Sequence, residues 1–380
     1  MLQKIYRLFT SLKLTVTLLA LGTILVFWGT LAQASLGLYK AQNEFFRSFF
    51  VYWQPAEGWH IPIFPGGHLL GALLLINLFA AHLRYYQPGK RKIGIALIHL
   101  GVVLLLVGQY LTDILSTESS MHIRNGATKN YCEADREYEL AITDITAPNL
   151  DTVVAIPATR LRPGKELTLP EFPFTVRTVK YFVNSALTES AAPMFDPVGA
   201  TAGTGTTLRW REIPHETTMD RRDTPSGLIE FFTPQGTLGT WLISSILRRP
   251  EELTHAGRTF RLELRLIRSY KPFSLHLLEF KHDKYPGTEI PKNFSSRVRL
   301  ERPDTGESRE VLIYMNNPLR YDGETFYQAS YDPDNQGTVL QVVRNPGWLT
   351  PYFACVIVSI GLLWQFLSHL FRFATKRKTT

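Results

Sequence analysis

"IALIHLGVVLLLVG", residues 95–108, decides how this chain is read. Thirteen of its fourteen residues suit a bilayer core, and the fourteenth, His99, is an ionisable imidazole. The uncharged run extends over 93–112. At about 1.5 Å per residue, some twenty such residues cross a hydrocarbon core of about 30 Å. Stretches of the same kind occupy 14–31, 66–83 and 350–370. Four transmembrane helices are expected, and a histidine sits inside the third. Burying a polar side chain there costs roughly 2–7 kcal/mol unless it finds a partner.

The charges give these helices a direction. The formal net charge is +8, but eleven positive charges and no acidic residue lie in three short segments. These are Lys4, Arg7 and Lys13; Arg84, Lys90, Arg91 and Lys92; and Arg372, Lys376, Arg377 and Lys378. In 32–65, Lys40 and Arg47 are matched by Glu44 and Glu57, while 113–349 holds 28 basic and 31 acidic residues. By the positive-inside rule both termini are cytoplasmic, and the protein belongs to an inner (cytoplasmic) membrane. The high isoelectric point therefore speaks for topology rather than for nucleic acid. Lys4, Arg7, Lys13 and "LAQAS" (31–35) also resemble a cleavable signal. The apolar run of about 18 residues exceeds a usual signal core, and further spans follow closely, so a retained anchor is expected.

The layout that results is an integral membrane protein with a large extracytoplasmic β-rich domain between helices 3 and 4. Residues 1–112 hold three helices (about 14–31, 66–83 and 93–112) and an aromatic-rich external loop, 32–65. Residues 113–349 form the soluble domain, and 350–380 hold the fourth helix (about 350–370) and a basic tail. "RYYQPGKRK" (84–92) reads as a tight cytoplasmic turn. In "RTFRLELRLIRSY" (258–270), Phe260, Leu262, Leu264 and Leu266 alternate with mostly charged residues. "SRVRLERPDTGESREVLIYM" (296–315) predicts two strands about an Asp-Thr-Gly turn, and 324–347 predicts two more about Asp-Pro-Asp-Asn-Gln-Gly. Such spacing predicts a sandwich or open barrel. Residues 184–226, with "VGATAGTGTT", are expected to be a long loop; they lack the Gly-Lys-Ser/Thr of a phosphate-binding loop.

The polar groups narrow the chemistry. Cys132 and Cys355 fall in different regions and should not pair, and no CxxC or CxxCH occurs. A thiol–disulfide enzyme and a c-type cytochrome are thereby disfavoured. His99 is the seventh residue of its span, roughly 9–10 Å in from the cytoplasmic face. An ionisable residue at that depth marks a functional site by default, though a helix-packing role is the competing reading. His68, His82 and His369 sit at span ends and read as interfacial. His82 is expected about 9 Å away in depth from His99, too far for a shared small ion. The remaining histidines show no metal-ligand spacing.

Taken together, the four spans, the β-rich insertion and the transmembrane histidine followed by "LGVVLLLVG" resemble the ResB family. The distinctive elements are "KYPGTEIPKNFSSRVRL" (284–300) and "VLIYMNNPLRYDGETFYQASYDPD" (311–334). The resemblance implies a subunit of a system II cytochrome c synthase that helps export haem and present it with apocytochrome c. It implies a CcsA-like membrane partner and a transient, shared haem b. It also implies that His99 is one axial ligand, the other coming from the partner. Arg84, Lys90, Arg91 and Lys92 then become candidates for the haem entry, although they also serve as topology determinants. Asn316, Pro318, Tyr327, Gln328 and Tyr331 become candidates for contact with partner or substrate, against a structural hairpin role. The haem-holding tryptophan-rich element is absent from this sequence and belongs to the partner, so the chain is not expected to be catalytic alone. Two other classes stay open on the residues: a non-haem scaffold or apocytochrome chaperone, and a membrane electron-transfer protein.

Overall fold

The computed structural model describes residues 2–55, 58–85, 92–148, 150–218, 221–288 and 291–377. The chain divides into two compact units, one of 1–117, 217–219 and 344–380, the other of 118–216 and 220–343.

In the first unit, a short helix α1 (Leu2–Phe9) precedes the long apolar α2 (Leu12–Leu36), which Ser11 caps through its hydroxyl. A single turn, α3 (Leu38–Ala41), runs into a π-turn at 42–46 and a small hairpin, β1 (Phe50–Trp53) with β2 (Ile61–Pro65). Three more long helices follow in chain order: α4 (Gly67–Tyr85), α5 (Ile93–Leu115) and α6 (Thr350–Arg377). The four helices expected from the apolar runs are thus present, and each is long and apolar enough to cross a membrane. This pattern fits a multi-pass membrane protein.

Two devices hold these helices together. Gly94, Gly101 and Gly108 recur every seventh residue and turn one bare stripe of α5 towards α6. A Cβ on Gly94 would lie 2.8 Å from the Gly361 carbonyl, and one on Gly101 2.9 Å from that of Ala354. Small residues of this kind let helix backbones approach where hydrophobic burial alone gives no drive. On the other side, Asn77 of α4 is 1% exposed within an apolar helix. Its amide donates to the carbonyls of Phe9 (2.8 Å) and Ser11 (3.3 Å), and its Oδ1 accepts from Thr15 (2.6 Å). That one side chain satisfies the break between α1 and α2.

The second unit is built on β14 (Arg258–Lys284), a strand of 27 residues. The largest sheet runs β16 (Glu307–Tyr314), β15 (Pro291–Arg302), β14, β4 (Thr128–Asp144), β3 (Thr117–Arg124), β19 (Gly337–Arg344), β18 (Glu324–Tyr331), β17 (Leu319–Tyr321). Two more strands attach to it, β13 (Glu251–His255) to β14 and β5 (Thr152–Pro157) to β4. Pro272 interrupts β14, where the register against β4 jumps from Tyr270↔Tyr131 to Leu275↔Lys129. Proline cannot donate to the ladder, so a bulge there bends the strand. Each half of β14 then feeds a different core. Phe260, Leu262 and Leu264 pack with Leu140 and Ile142, whereas Phe273, Leu275 and Leu277 pack with Cys132, Val298 and Phe326. The first core is closed by a four-stranded sheet, β12 (Gly236–Ser244), β11 (Ser226–Thr233), β7 (Thr175–Phe182), β6 (Glu166–Thr168).

The expected hairpins at 296–315 and 324–347 form as read, the first turning at Gly306 with φ +68°. The expected long loop does not hold as such. Within 184–226, β8 (Ser185–Thr188), β10 (Arg209–Glu212) and β9 (Asp196–Pro197) make a three-stranded sheet. These strands are two to four residues long, too short for alternation to announce them. The Gly-rich piece wraps an internal anion: the Thr204 amide donates to the Glu251 carboxylate at 2.9 Å, and Glu251 is buried. Gly203, at φ +71°, leaves no room for a Cβ beside that carboxylate.

Two outcomes test this packing. Gly101→Leu should destabilise the helical unit by about 1–3 kcal/mol, seen as a lower unfolding midpoint in detergent. Gly22→Leu, at a site where a Cβ meets nothing within 4 Å, should leave the midpoint in place. Equal midpoints would contradict the close α5–α6 approach. The Cys132 thiol is fully buried, and burial pushes its pKa up to about 11 from an ordinary value near 9. Its thiolate at pH 8 is then about a hundredfold scarcer than in the unfolded chain. Iodoacetamide should therefore leave Cys132 unlabelled in the native protein and label it in urea, read by peptide mass spectrometry.

Candidate functional site

His82 and His99 face each other. Their ring centroids are 5.8 Å apart and the rings are nearly perpendicular, at 85°. The rings are closer than the difference of about 9 Å in depth expected from counting residues along the helices. Helix side chains lean towards their own N-terminus. Because α4 and α5 run antiparallel, His82 leans inwards from the end of α4 and His99 leans back towards the start of α5. The two leans close the gap that counting residues alone leaves open.

The His99 Nδ1 is buried and has no hydrogen-bond partner among the described residues. A second orphan lies on α6: the Gln365 Oε1 is also buried without a partner, and a Cβ on Gly94 would sit 2.9 Å from it. The Gln365 Nε2 meets the His369 ring nitrogen at 2.8 Å. Gly94 lies five residues before His99, so this end of the helices carries buried polar groups without a partner among the described residues. An unpaired buried acceptor or donor costs about 1–3 kcal/mol. An imidazole with an unpartnered nitrogen, beside a second imidazole, is a donor set that fits a haem iron, which takes histidine ligands. Among the described residues, no group of three or more His, Cys, Asp or Glu side chains can hold a metal ion.

The expected entry residues divide. Arg84 donates from Nη1 to the Thr10 hydroxyl at 2.5 Å and lies over the Tyr6 ring, so it clamps α1 onto α4. Lys92 directly precedes α5. Lys90 and Arg91, with most of the turn 84–92, lie outside the described residues.

In the second unit the five expected contact residues take different roles. Asn316 is exposed at the tip after β16, with φ +63°, and Pro318 follows it into β17. Tyr327 points outwards from β18 and is 39% exposed. Gln328 is committed inside the sheet, accepting from Ser296 at 2.6 Å and donating to Thr338 at 2.9 Å. Tyr331 joins an aromatic cluster, with centroids 4.7 Å from His282 and 4.9 Å from Phe294. His282 keeps a buried Nε2 without a partner in that cluster, while its Nδ1 meets Asn335. Of the remaining histidines, His122 pairs with Asp332, His215 with Asp223, and His276 with Thr128. Sequence reasoning missed Asn77 and Gln365. Both are polar residues inside apolar runs, and the signal that singled out His99 applies to them equally.

A multi-pass helical unit combined with this β-rich unit defines a class of membrane protein, and sequence comparison makes it more specific. Residues 250–338, from β13 to the start of β19, match the ResB-like family. Over 307 residues, 80% of this chain, the sequence is 27% identical to Protein NrfI of Wolinella succinogenes. The aligned part is 30% of that protein's length. The family match falls on the segment that carries the motifs quoted for the resemblance.

The contact between the two rings has a direct check. In a double-mutant cycle, His82→Leu and His99→Leu should couple by about 0.5–1.5 kcal/mol in unfolding free energy. Strict additivity would show that the rings are not neighbours.

Proposed function

We propose that this chain is the haem-holding membrane subunit of a cytochrome c synthase, acting with a CcsA-like partner to deliver haem to apocytochrome c. The observation that carries the reading is the His82–His99 pair, with a buried imidazole nitrogen left free inside a membrane-length helix. The ResB-like match supports a role in cytochrome c biogenesis. In this reading His99 would hold the haem iron. His82 stands opposite as a second candidate, beside a histidine from the partner. Haem iron, when bound, supplies the Lewis acidity that these imidazoles satisfy. The chain's own residues hold and orient: His99 and His82 present nitrogens, Gly94 and Gly101 keep α6 close to α5, and the basic segments near Arg84 and Lys92 suit carboxylate groups at the entry. The charge distribution supports a cytoplasmic side for His82 and His99 and an outer side for the β-rich unit in this reading. The exposed Asn316 tip and Tyr327 offer contact with apocytochrome or partner.

A second reading, a non-haem scaffold, makes His99 a packing residue only. The buried Nδ1 without a partner speaks against it, since packing histidines in membranes gain by hydrogen bonding to a neighbouring helix. The two readings part in one experiment. The full chain, co-purified with its multi-span partner, should show a low-spin haem absorption spectrum. His99→Ala should lose most of that haem, and added imidazole should restore it. Equal haem content in the variant and the parent would leave the scaffold as the better account.

A further inference from the structure

A second polar station lies between the same two helices, at the end opposite His82 and His99. On α4, His68 precedes His82 by 14 residues; on α5, Asp113 follows His99 by 14. Each separation is about 21 Å along a helix and about 40° around it. Both stations therefore open on the cleft between α4 and α5. The space at the second is a cavity of about 680 Å³. Its walls include Phe46, Phe49, Leu75, Leu106 and Tyr110. Such a volume, apolar with a few convergent polar groups, is typical of a small-molecule site.

The polar end is ordered. The Nε2 of His68 meets the Asp113 Oδ2 at 3.1 Å, and the Arg47 Nε meets the Asp113 Oδ1 at 3.0 Å. With its proton on Nε2, towards the carboxylate, a neutral His68 ring would offer a lone pair on Nδ1. Phe49 and Tyr110 stand edge-on to the imidazole, at centroid distances of 5.9 and 6.1 Å. Gly71 lines the same cavity, and a Cβ placed on it meets nothing within 4 Å. Glycine in a helix costs about 1 kcal/mol relative to alanine, and no packed neighbour accounts for it here. Its effect is to keep the slot open.

We propose that this cleft binds the ring head of an isoprenoid hydroquinone. The features select such a ligand one by one. The slot is flanked by aromatic rings and takes a flat ring. A site on bilayer-length helices accepts a long apolar tail. The Nδ1 of His68 accepts a hydrogen bond from a phenolic hydroxyl. Arg47 and Asp113 cancel each other, so no surplus positive charge is left for a lipid phosphate or a propionate. This binding does not depend on the haem reading.

The probe is decylubiquinol, titrated into the full chain in nanodiscs. Saturable binding is expected, and the bis-O-methyl ether of the same ring, which lacks both donors, should bind at least tenfold more weakly. Gly71→Leu puts a side chain into the slot from a position whose Cβ meets nothing within 4 Å, and should weaken decylubiquinol at least tenfold while melting like the parent. His99→Ala should leave the binding unchanged, which separates this site from the haem reading. Non-saturable uptake, equal affinity for the ether, or parental affinity in Gly71→Leu would each overturn the proposal. So would a loss of haem from the co-purified complex on Gly71→Leu, because the cavity would then belong to the haem path. The ether comparison uses the unaltered protein and decides the question even where a variant fails to fold.

Discussion

A polar group inside a membrane-length helix must find its partner within the protein or in a ligand, because the hydrocarbon offers none. The helical unit can be read as a set of answers to that demand. Asn77 answers it for the α1–α2 break by bonding Phe9, Ser11 and Thr15. His68 answers it with Asp113, which Arg47 in turn neutralises. At the other end of the helices the His99 Nδ1 and the Gln365 Oε1 find no partner among the described residues. Internal satisfaction builds the scaffold, and the groups left without a partner among the described residues are the ones on which the proposed function rests.

Glycine decides how closely that scaffold can assemble. The seven-residue spacing of Gly94, Gly101 and Gly108 fixes α6 against α5. Gly71 has the opposite role, facing space rather than a neighbouring helix. The same residue type makes one interface tight and keeps another surface open, and only the three-dimensional surroundings tell the two apart. In the β-rich unit, Pro272 plays a comparable architectural part by bending β14 so that one strand serves two cores. Cys132 is sealed in the second of those cores with its thiol held protonated, which agrees with the lack of any CxxC chemistry in the chain.

Much of this was legible in the residues. The four long helices follow from charge-free runs, and the hairpins at 296–315 and 324–347 follow from alternation and turn residues. What escaped did so for physical reasons. The strands within 184–226 are only two to four residues long, one or two periods of alternation, and their loop is organised by Glu251, which lies far along the chain. The His82–His99 contact depends on the lean of side chains on antiparallel helices, which residue counting along a helix axis ignores. Gln328 looked like a contact residue from its motif, yet its amide is spent on Ser296 and Thr338. A motif records that a residue matters to the fold or to a partner, and only the hydrogen bonds distinguish the two.

The central claim is that the nitrogen left free on His99 belongs to iron. Electron paramagnetic resonance of the ferric complex, purified with its partner, addresses that nitrogen most directly when His99→Met is compared with the parent. Exchange of one axial imidazole for a thioether should replace the bis-histidine low-spin signal with one of a different ligand field. An unchanged spectrum in His99→Met, at equal haem content, would place the iron on other ligands and return His99 to the packing of α4 and α5.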